Sequence, residues 1–240
     1  MNVAWKTDTG LVRKNNQDAV LVDEVHGIFL LADGMGGHRA GDVASAIAVK
    51  EAHEFILTER SRAGSHDVDW PGILEEAFCR AHRVIREKAM IDSALEGMGT
   101  TLVGFFLLGN TAYICHVGDS RAYLFRGALQ VLTRDHTVGG SYVARGHMER
   151  EEVPPYLWHM LTQALGTNEC PVPDKKLLEL EQGDILLLCS DGLTGMLSDA
   201  EIAGIITGHR GSLRRMVDIL ISDANSKGGR DNISVIAVEI

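Results

Sequence analysis

Four short apolar runs in this chain each lie next to an aspartate. Asp33 follows FLLA, Asp119 follows YICHVG, Asp191 follows ILLLCS, and Asp231 stands just before the last apolar run. Apolar runs of this length, bounded by turn residues, are typical of buried strands. A single aspartate at a strand end is more often a solvated turn residue. Four acids brought to one sheet edge repel one another unless a cation sits among them, so the pattern predicts a cation site.

The first of these acids opens the glycine-rich stretch LADGMGGH at 31–38. An Asp-Gly pair after apolar residues is a strong signal for a hairpin, and we expect a tight turn there. The pair also offers a carboxylate and a backbone carbonyl at Gly34, which are hard oxygen donors that suit Mg²⁺ or Mn²⁺. The sequence contains no HExxH, no CxxC and no histidine pair at metal-ligand spacing, which argues against zinc. Two ions sharing one carboxylate suit hydrolysis of a phosphate ester.

Phosphate chemistry also calls for a cation from the protein. Arg13, in RKNNQD, is a candidate because its guanidinium offers two parallel donors to phosphate oxygens. Taken alone, an arginine in a polar run is usually a solvated charge.

The order of periodic segments predicts an α+β fold with antiparallel sheets in the middle and helices outside. A polar stretch at 61–72 is interpreted as a connector, and 135–166 as a surface subdomain of short helices. Gly109-Asn110 predicts a two-residue hairpin turn. Strands are predicted at 19–22, 27–32, 100–108, 111–117, 121–125, 176–180, 184–190 and 232–238, and helices at 43–56, 74–85, 198–206 and 212–224.

Composition and charge exclude several classes of function. The formal net charge of −10 disfavours binding to nucleic acid or anionic lipid. No run is long enough for a signal peptide or a membrane span, and the four cysteines have no regular spacing. We therefore expect a cytoplasmic protein with reduced thiols.

Eight motifs follow one another along essentially the whole chain: RKNNQD (13–18), LADGMGGH (31–38), MGTT (98–101), VGDSRAYL (117–124), LTRDHT (132–137), LTQALG (161–166), LCSDGLTGM (188–196) and GGRDNISV (228–235). In this order they resemble the motifs of the metal-dependent type 2C (PPM) Ser/Thr protein phosphatases in their short bacterial form. The order of eight motifs is far more specific than any one of them.

The resemblance implies an α-β-β-α sandwich of two antiparallel sheets flanked by helix pairs, formed by a single catalytic domain over 1–240. It implies a flap at about 137–161 beside the active site. The expected activity is hydrolysis of phosphoserine and phosphothreonine in proteins, which reverses a Ser/Thr kinase. Other implied partners are phosphothreonine-reading proteins of the FHA type and type VI secretion control; we expect a monomer.

Site roles also follow from the resemblance. Asp33 would bridge two Mn²⁺ or Mg²⁺ ions, the Gly34 carbonyl would ligate one, and Asp191 and Asp231 would complete the other site. Asp18 matches an acid that holds a metal-bound water, and Arg13 matches the arginine that grips the substrate phosphate. Bacterial members bind a third, weaker ion through an acid that matches Asp119, helped by the one that matches Asp191.

The chain departs from the pattern of these phosphatases at three places. Met35 stands where some members have a histidine proposed as the acid for the leaving group; His38, three residues on, is an alternative, and it equally fits a passive surface role. Gly195 replaces an acid that some relatives use for the third ion. The flap sequence PPYLWHM at 154–160 lacks the usual Arg/Asn-containing run.

Two rival functions stay open at this level. Cys115 and Arg121 fit the C-x5-R spacing of cysteine-dependent phosphatases, although the segment continues into a strand pattern rather than the required helix. A catalytically silent phosphoprotein- or metal-sensing module of the same fold is the second rival, and it would be expected to have lost a metal acid. A metal-dependent nuclease is disfavoured, because the chain lacks a basic track.

Overall fold

The computed structural model describes residues 1–36, 40–62 and 68–240. Within these ranges the strands are β1 (Asn2–Asp8), β2 (Asp18–Asp23), β3 (Ile28–Met35), β4 (Gly99–Thr100), β5 (Leu102–Leu108), β6 (Thr111–Val117), β7 (Arg121–Arg126), β8 (Ala128–Val131), β9 (Asp174–Glu179), β10 (Ile185–Cys189) and β11 (Ile233–Glu239). The α-helices are α1 (Ala40–Arg62), α2 (Trp70–Ile91), α3 (Val138–Ala144), α4 (Asp191–Thr194), α5 (Asp199–Gly208) and α6 (Leu213–Ser226). Short 3₁₀ turns occupy Ser93–Leu95, Arg150–Glu152 and Pro155–His159.

The strands form two sheets, and every pairing among the described strands is antiparallel. One sheet has the order β1-β11-β10-β7-β8, and the other has the order β2-β3-β5-β6-β9 with β4 added to β3. Strand β3 shows how the layers are built, because alternate side chains point to opposite faces. Ile28, Leu30 and Ala32 face helices α1 and α2. Phe29 and Leu31 face the other sheet.

Three apolar cores therefore separate four layers. Helices α1 and α2 cover the β3 sheet, a central core fills the space between the sheets, and α4, α5 and α6 cover the β10 sheet. This α-β-β-α sandwich confirms the fold class expected from the sequence. No helix in the described ranges is both long and apolar enough to cross a membrane.

Two local predictions were wrong. Asp33-Gly34 is not a hairpin turn, because β3 continues through it to Met35 and the chain proceeds towards α1. The stretch 61–72 is not all connector, because α1 extends to Arg62 and α2 begins at Trp70, capped by the Asp69 side chain, with a proline in its first turn.

Strands β1 and β8 and the short helix α4 had no predicted counterpart. The two strands are the edges of one sheet, where half-exposed side chains weaken the apolar pattern.

Residues 137–161 form a loop whose two ends meet. Thr137 and Leu161 are joined by an antiparallel bridge, and the Val138 N–H donates to the Met160 carbonyl oxygen at 2.8 Å. Helix α3 and two 3₁₀ turns lie between these ends. This segment is called the flap below.

The close approach of β5 to β3 predicts that a larger residue at Gly104 destabilises the fold. A Cβ on Gly104 would lie 2.4 Å from Leu30 Cδ2 and 2.8 Å from the Phe29 carbonyl oxygen. Gly104→Ala is therefore expected to lower the free energy of unfolding by about 1–3 kcal/mol through overpacking. The measurement is the urea midpoint. Gly204→Ala in α5 is the control, because a Cβ there meets no atom within 4 Å; it should be neutral or stabilise by up to about 1 kcal/mol. Equal midpoints for the two variants would contradict the packing argument.

Candidate functional site

A cleft of about 700 Å³ opens where the ends of several strands meet. Arg13 and four aspartates from separate parts of the chain line it: Asp33, Asp119, Asp191 and Asp231. Asp18 lies beside them, because it is paired in register with Asp33 across β2 and β3. The structure thus brings together all five predicted acids and the predicted arginine.

Backbone hydrogen bonds hold Asp33 in place at the end of the apolar run. Its N–H donates to Thr101 Oγ1 at 2.9 Å, and its carbonyl oxygen accepts from Thr100 Oγ1 at 2.8 Å and from the Thr101 N–H at 2.9 Å. Both threonines belong to the MGTT motif and are buried. The main chain of Asp33 is therefore fixed by these contacts, which leave its carboxylate directed into the cleft.

Glycines allow the backbones around the acids to approach closely. A Cβ on Gly34 would lie 2.1 Å from the Gly41 carbonyl oxygen at the start of α1, and a Cβ on Gly192 would lie 2.0 Å from the Asn232 carbonyl oxygen. The second contact locks the segment after Asp191 against the segment after Asp231. Glycine is needed at both positions for space, since neither has a positive φ.

Asn232 is a supporting residue that residue-by-residue reasoning missed. Its side-chain NH₂ donates to the carbonyl oxygens of Thr9 and Asn15, each at 2.9 Å, and its Oδ1 accepts from the Gln17 N–H at 2.8 Å. These bonds hold the loop that carries Arg13 against the start of β11. One sequence signal was available: Asn232 is a polar residue between Asp231 and the apolar run of the last strand, in GGRDNISV.

The acids disfavour each other's charged form. Burial, followed by repulsion from Asp18, Asp191, Asp119 and Asp231, raises the pKa of Asp33 well above its ordinary value. Burial raises the pKa of Asp119 to about 8, with further contributions from Asp191 and Asp135. Burial also raises the pKa of Asp18 to about 7, against the opposing effect of hydrogen bonds from Ser234 and Ser190. The pKa of Asp191 is raised by burial and then by Asp231.

The donor set fits a divalent cation. Oδ1 of Asp18 and Oδ1 of Asp191 are buried and have no hydrogen-bond partner among the described residues. Buried acceptors without partners cost free energy unless a cation or water satisfies them. Carboxylate oxygens grouped in a cleft suit Mg²⁺ or Mn²⁺.

Arg13 contacts the acid cluster directly. Its Nη2 lies 2.6 Å from Asp231 Oδ2, and its side chain is half exposed at the mouth of the cleft. A guanidinium with further free N–H groups at this position suits a phosphate oxygen.

The cysteine alternative is wrong. Cys115 is buried in the core beneath α1 and α2, and burial raises the pKa of its thiol well above the ordinary value. Arg121 is held by Asp135, through Nε at 2.8 Å and Nη2 at 2.6 Å, so it is not free to bind phosphate.

The prediction for His38 stays untested, and a different histidine lies at the cleft. His38 lies outside the described residues. Met35 lines the cleft, and so does His159, which ends the last 3₁₀ turn of the flap. His159 was missed because a flap residue reaches the cleft through tertiary folding, which leaves no periodic signal.

The comparisons with known proteins agree with this geometry. Residues 12–230 match the family model described as Protein phosphatase 2C. The chain belongs to the protein phosphatase 2C family. It is 35% identical to the serine/threonine phosphatase stp of Listeria innocua, over 100% of this chain and 96% of the relative.

Solved structures give the same result for the fold. The catalytic domain of the serine/threonine phosphatase PstP, in complex with two manganese ions, is 33% identical with a TM-score of 0.85, over 99% of this chain and 97% of that one. PppA of Pseudomonas aeruginosa, described as a key regulatory component of a type VI secretion system, is 32% identical with a TM-score of 0.82, over 99% and 96% of the two chains.

The raised acid pKa values in this protein phosphatase 2C chain predict how its metal-free stability depends on pH. The folded chain keeps protons on Asp18 and Asp119 to about pH 7 and 8, whereas the ordinary value is 3.8. The native state therefore binds more protons than the unfolded state between about pH 4 and pH 8, so stability falls as the pH rises through this window. Asp119→Asn removes one of these groups. At pH 8 in chelator it should raise the melting temperature by about 2–4 °C.

The control for this prediction is Glu87→Gln on the exposed face of α2, which should leave the melting temperature unchanged. A lower melting temperature for Asp119→Asn in chelator at pH 8 would contradict the repulsion.

Proposed function

We propose that this chain is a metal-dependent protein phosphatase that hydrolyses phosphoserine and phosphothreonine in proteins and so reverses a Ser/Thr kinase. The observation that carries the proposal is a cluster of five acids next to an arginine at the mouth of one cleft, in which Asp18 and Asp191 each have a buried oxygen without a hydrogen-bond partner among the described residues. Membership of the protein phosphatase 2C family supports it.

The proposed ligands are divided between two ions, Mn²⁺ or Mg²⁺. Asp33 would serve both ions, the Gly34 carbonyl would bind one, and Asp191 and Asp231 would bind the other. Asp18 would act through a water molecule. When bound, such ions lower the pKa of water towards neutrality and neutralise the phosphoryl oxygens. The manganese-containing PstP structure is consistent with this assignment.

A third ion is proposed at Asp119 and Asp191. Gly195 contributes no side-chain ligand there, and its N–H donates to the Asp191 carbonyl oxygen at 2.7 Å. The third ion is therefore expected to bind more weakly than the first two.

Arg13 is proposed to bind the substrate phosphate. The guanidinium neutralises Asp231 and presents its remaining N–H groups to the cleft. Because Asn232 holds the loop that carries it, Arg13 is positioned before substrate arrives.

Residues 1–240 are taken as one catalytic domain whose flap, 137–161, forms part of the substrate-binding wall. Phosphothreonine-reading partners of the FHA type and a role in type VI secretion remain predictions. The description of PppA supports the second by analogy alone. Cytoplasmic location and a monomeric state also stay predictions from the sequence.

The proposal is tested by hydrolysis of an aryl phosphate and of a phosphothreonine peptide. Activity should require Mn²⁺ or Mg²⁺, disappear in EDTA and survive alkylation of thiols. Asp33→Asn should lower kcat/KM by about 10³-fold or more, because it removes the bridging carboxylate. Glu87→Gln serves as the matched control. Activity that persists in EDTA or in Asp33→Asn would refute the two-metal assignment.

The silent-module alternative makes the opposite prediction. Calorimetry would show Mn²⁺ binding to the wild-type chain, while neither phosphoester is hydrolysed under any metal condition. This outcome would refute the phosphatase assignment and favour a sensing module of the same fold.

His159 predicts a dependence on the leaving group. Serine and threonine alkoxides need a proton, whereas a nitrophenolate leaves without one, so a proton donor matters only for the peptide substrate. His159→Gln should lower kcat on a phosphothreonine peptide about 10-fold or more and change kcat on p-nitrophenyl phosphate less than 3-fold. His147→Gln, an exposed flap histidine outside the cleft lining, is the control. An equal loss on both substrates would remove His159 from this role.

A further inference from the structure

All four cysteines lie outside the acid cluster and take no part in the proposed reaction. Cys79 is half-buried on α2, and Cys170 is exposed in the segment that joins the end of the LTQALG motif to β9. Cys115 and Cys189 are fully buried in the cores. The first pair is therefore the one that a small oxidant in solution can reach.

The segment 166–175 runs antiparallel along one face of α2. At one end the Gly166 N–H donates to His82 Nδ1 at 3.1 Å. At the other end the Lys175 ammonium pairs with the Glu75 carboxylate. Glu75, Cys79 and His82 are spaced by four and three residues, so they lie on the same helix face. Cys79 is thus placed between the two anchors, opposite the middle of the segment, where Cys170 stands.

The electrostatics agree with this placement. Burial, and then the neighbouring thiol of Cys170, raises the pKa of Cys79 to about 11. Two thiols disfavour each other's ionisation in this way only when they lie close together.

The same segment forms one wall of the acid-lined cleft. Thr167, Asn168 and Glu169, directly before Cys170, line the cleft. The Val172 N–H, just beyond it, donates at 2.7 Å to Oε1 of Gln163, another residue of the lining. A covalent change at Cys170 would therefore act on a wall that faces the substrate.

We propose that Cys79 and Cys170 form a dithiol modification site at which a peroxide makes a disulfide, tying the cleft wall at 166–175 to α2. The site itself stands on the geometry above. Its effect on catalysis rests on the proposed phosphatase function.

The chemistry is a two-electron oxidation of two thiols by one peroxide. The exposed Cys170 sulfur attacks the O–O bond of hydrogen peroxide, which gives a sulfenic acid and releases one water. The Cys79 sulfur then attacks the Cys170 sulfur; the S–S bond forms, the S–O bond breaks, and the hydroxide leaves as a second water with the Cys79 proton. A small-molecule dithiol returns both residues to thiols by exchange. A cross-link of this kind in a reducing compartment would be transient.

The expected consequence concerns substrate binding more than chemistry. A disulfide requires the two Cα atoms to lie within about 4.4–6.8 Å, so the middle of the segment could no longer move away from α2. The wall then loses its freedom to adapt to a peptide, while Arg13 and the acids are untouched. KM for a phosphopeptide should rise, and turnover of a small aryl phosphate should not change.

The first experiment detects the bond itself. The full-length protein is treated with hydrogen peroxide, unreacted thiols are alkylated, and a tryptic digest is analysed by mass spectrometry without reduction. The expected product joins peptide 63–80 to peptide 151–175, the fragments that contain Cys79 and Cys170. Cys79→Ser and Cys170→Ser must not give it. Absence of this product from the wild-type protein, or a different cysteine pairing, would overturn the site.

The second experiment measures its effect. With Mn²⁺ present, oxidised wild-type protein should show a KM for a phosphothreonine peptide at least 3-fold above that of the reduced protein, unchanged kcat/KM for p-nitrophenyl phosphate, and recovery in dithiothreitol. Cys79→Ser and Cys170→Ser should not respond to peroxide. A cross-link without a KM change, or equal losses in the wild type and both serine variants, would overturn the effect on the cleft. A cross-link in a protein that hydrolyses neither substrate when reduced would refute the phosphatase proposal and leave the dithiol site intact.

Discussion

The repulsion among buried carboxylates is the constraint around which this fold is organised. Asp18 and Asp33 face each other in register on adjacent strands, an arrangement that destabilises a sheet when both are charged. Asp119, Asp191 and Asp231 add to the same field. The opposing free energy comes from the burial of the three apolar cores. The sandwich therefore holds together a charge arrangement that is unfavourable until a cation is bound, as expected of a preorganised metal site.

The residue pattern predicted the strands that bury both of their faces and the helices that bury one face. β3 and β10 are continuous apolar runs because each packs between a helix layer and the opposite sheet, and α6 is amphipathic because one face covers the β10 sheet. The acids at the ends of these elements were predicted for the same reason, since a charge that stops a buried run is conspicuous. Their roles as individual ligands came from the family resemblance, because no spacing in the sequence reports which carboxylate bridges two ions.

The parts that sequence reasoning missed depend on distant contacts. Strands β1 and β8 exist because β11 and β7 offer them hydrogen-bond partners, while their own side chains are half exposed. The Asp33-Gly34 pair has the local sequence of a hairpin turn. Its glycine is needed for a different reason, because the backbone of Gly41, seven residues on, leaves no space for a side chain at position 34. His159 reaches the cleft from the flap, and Asn232 bonds to Thr9, Asn15 and Gln17 near the other end of the chain, so both roles depend on tertiary folding.

The bridge between Thr137 and Leu161 makes the flap structurally independent of the strands on either side of it. A loop that leaves and rejoins the body of the protein at one point can change in length or sequence without shifting the strands on either side. The acid cluster and the flap are then subject to separate constraints on their sequences. The acids tolerate almost no displacement, because the proposed metal site depends on their spacing, whereas the flap can diverge freely as long as its two ends still meet. Substrate preference can accordingly change between close relatives whose reaction chemistry is the same. In this chain, the unusual PPYLWHM sequence of the flap is where we expect such a change to lie.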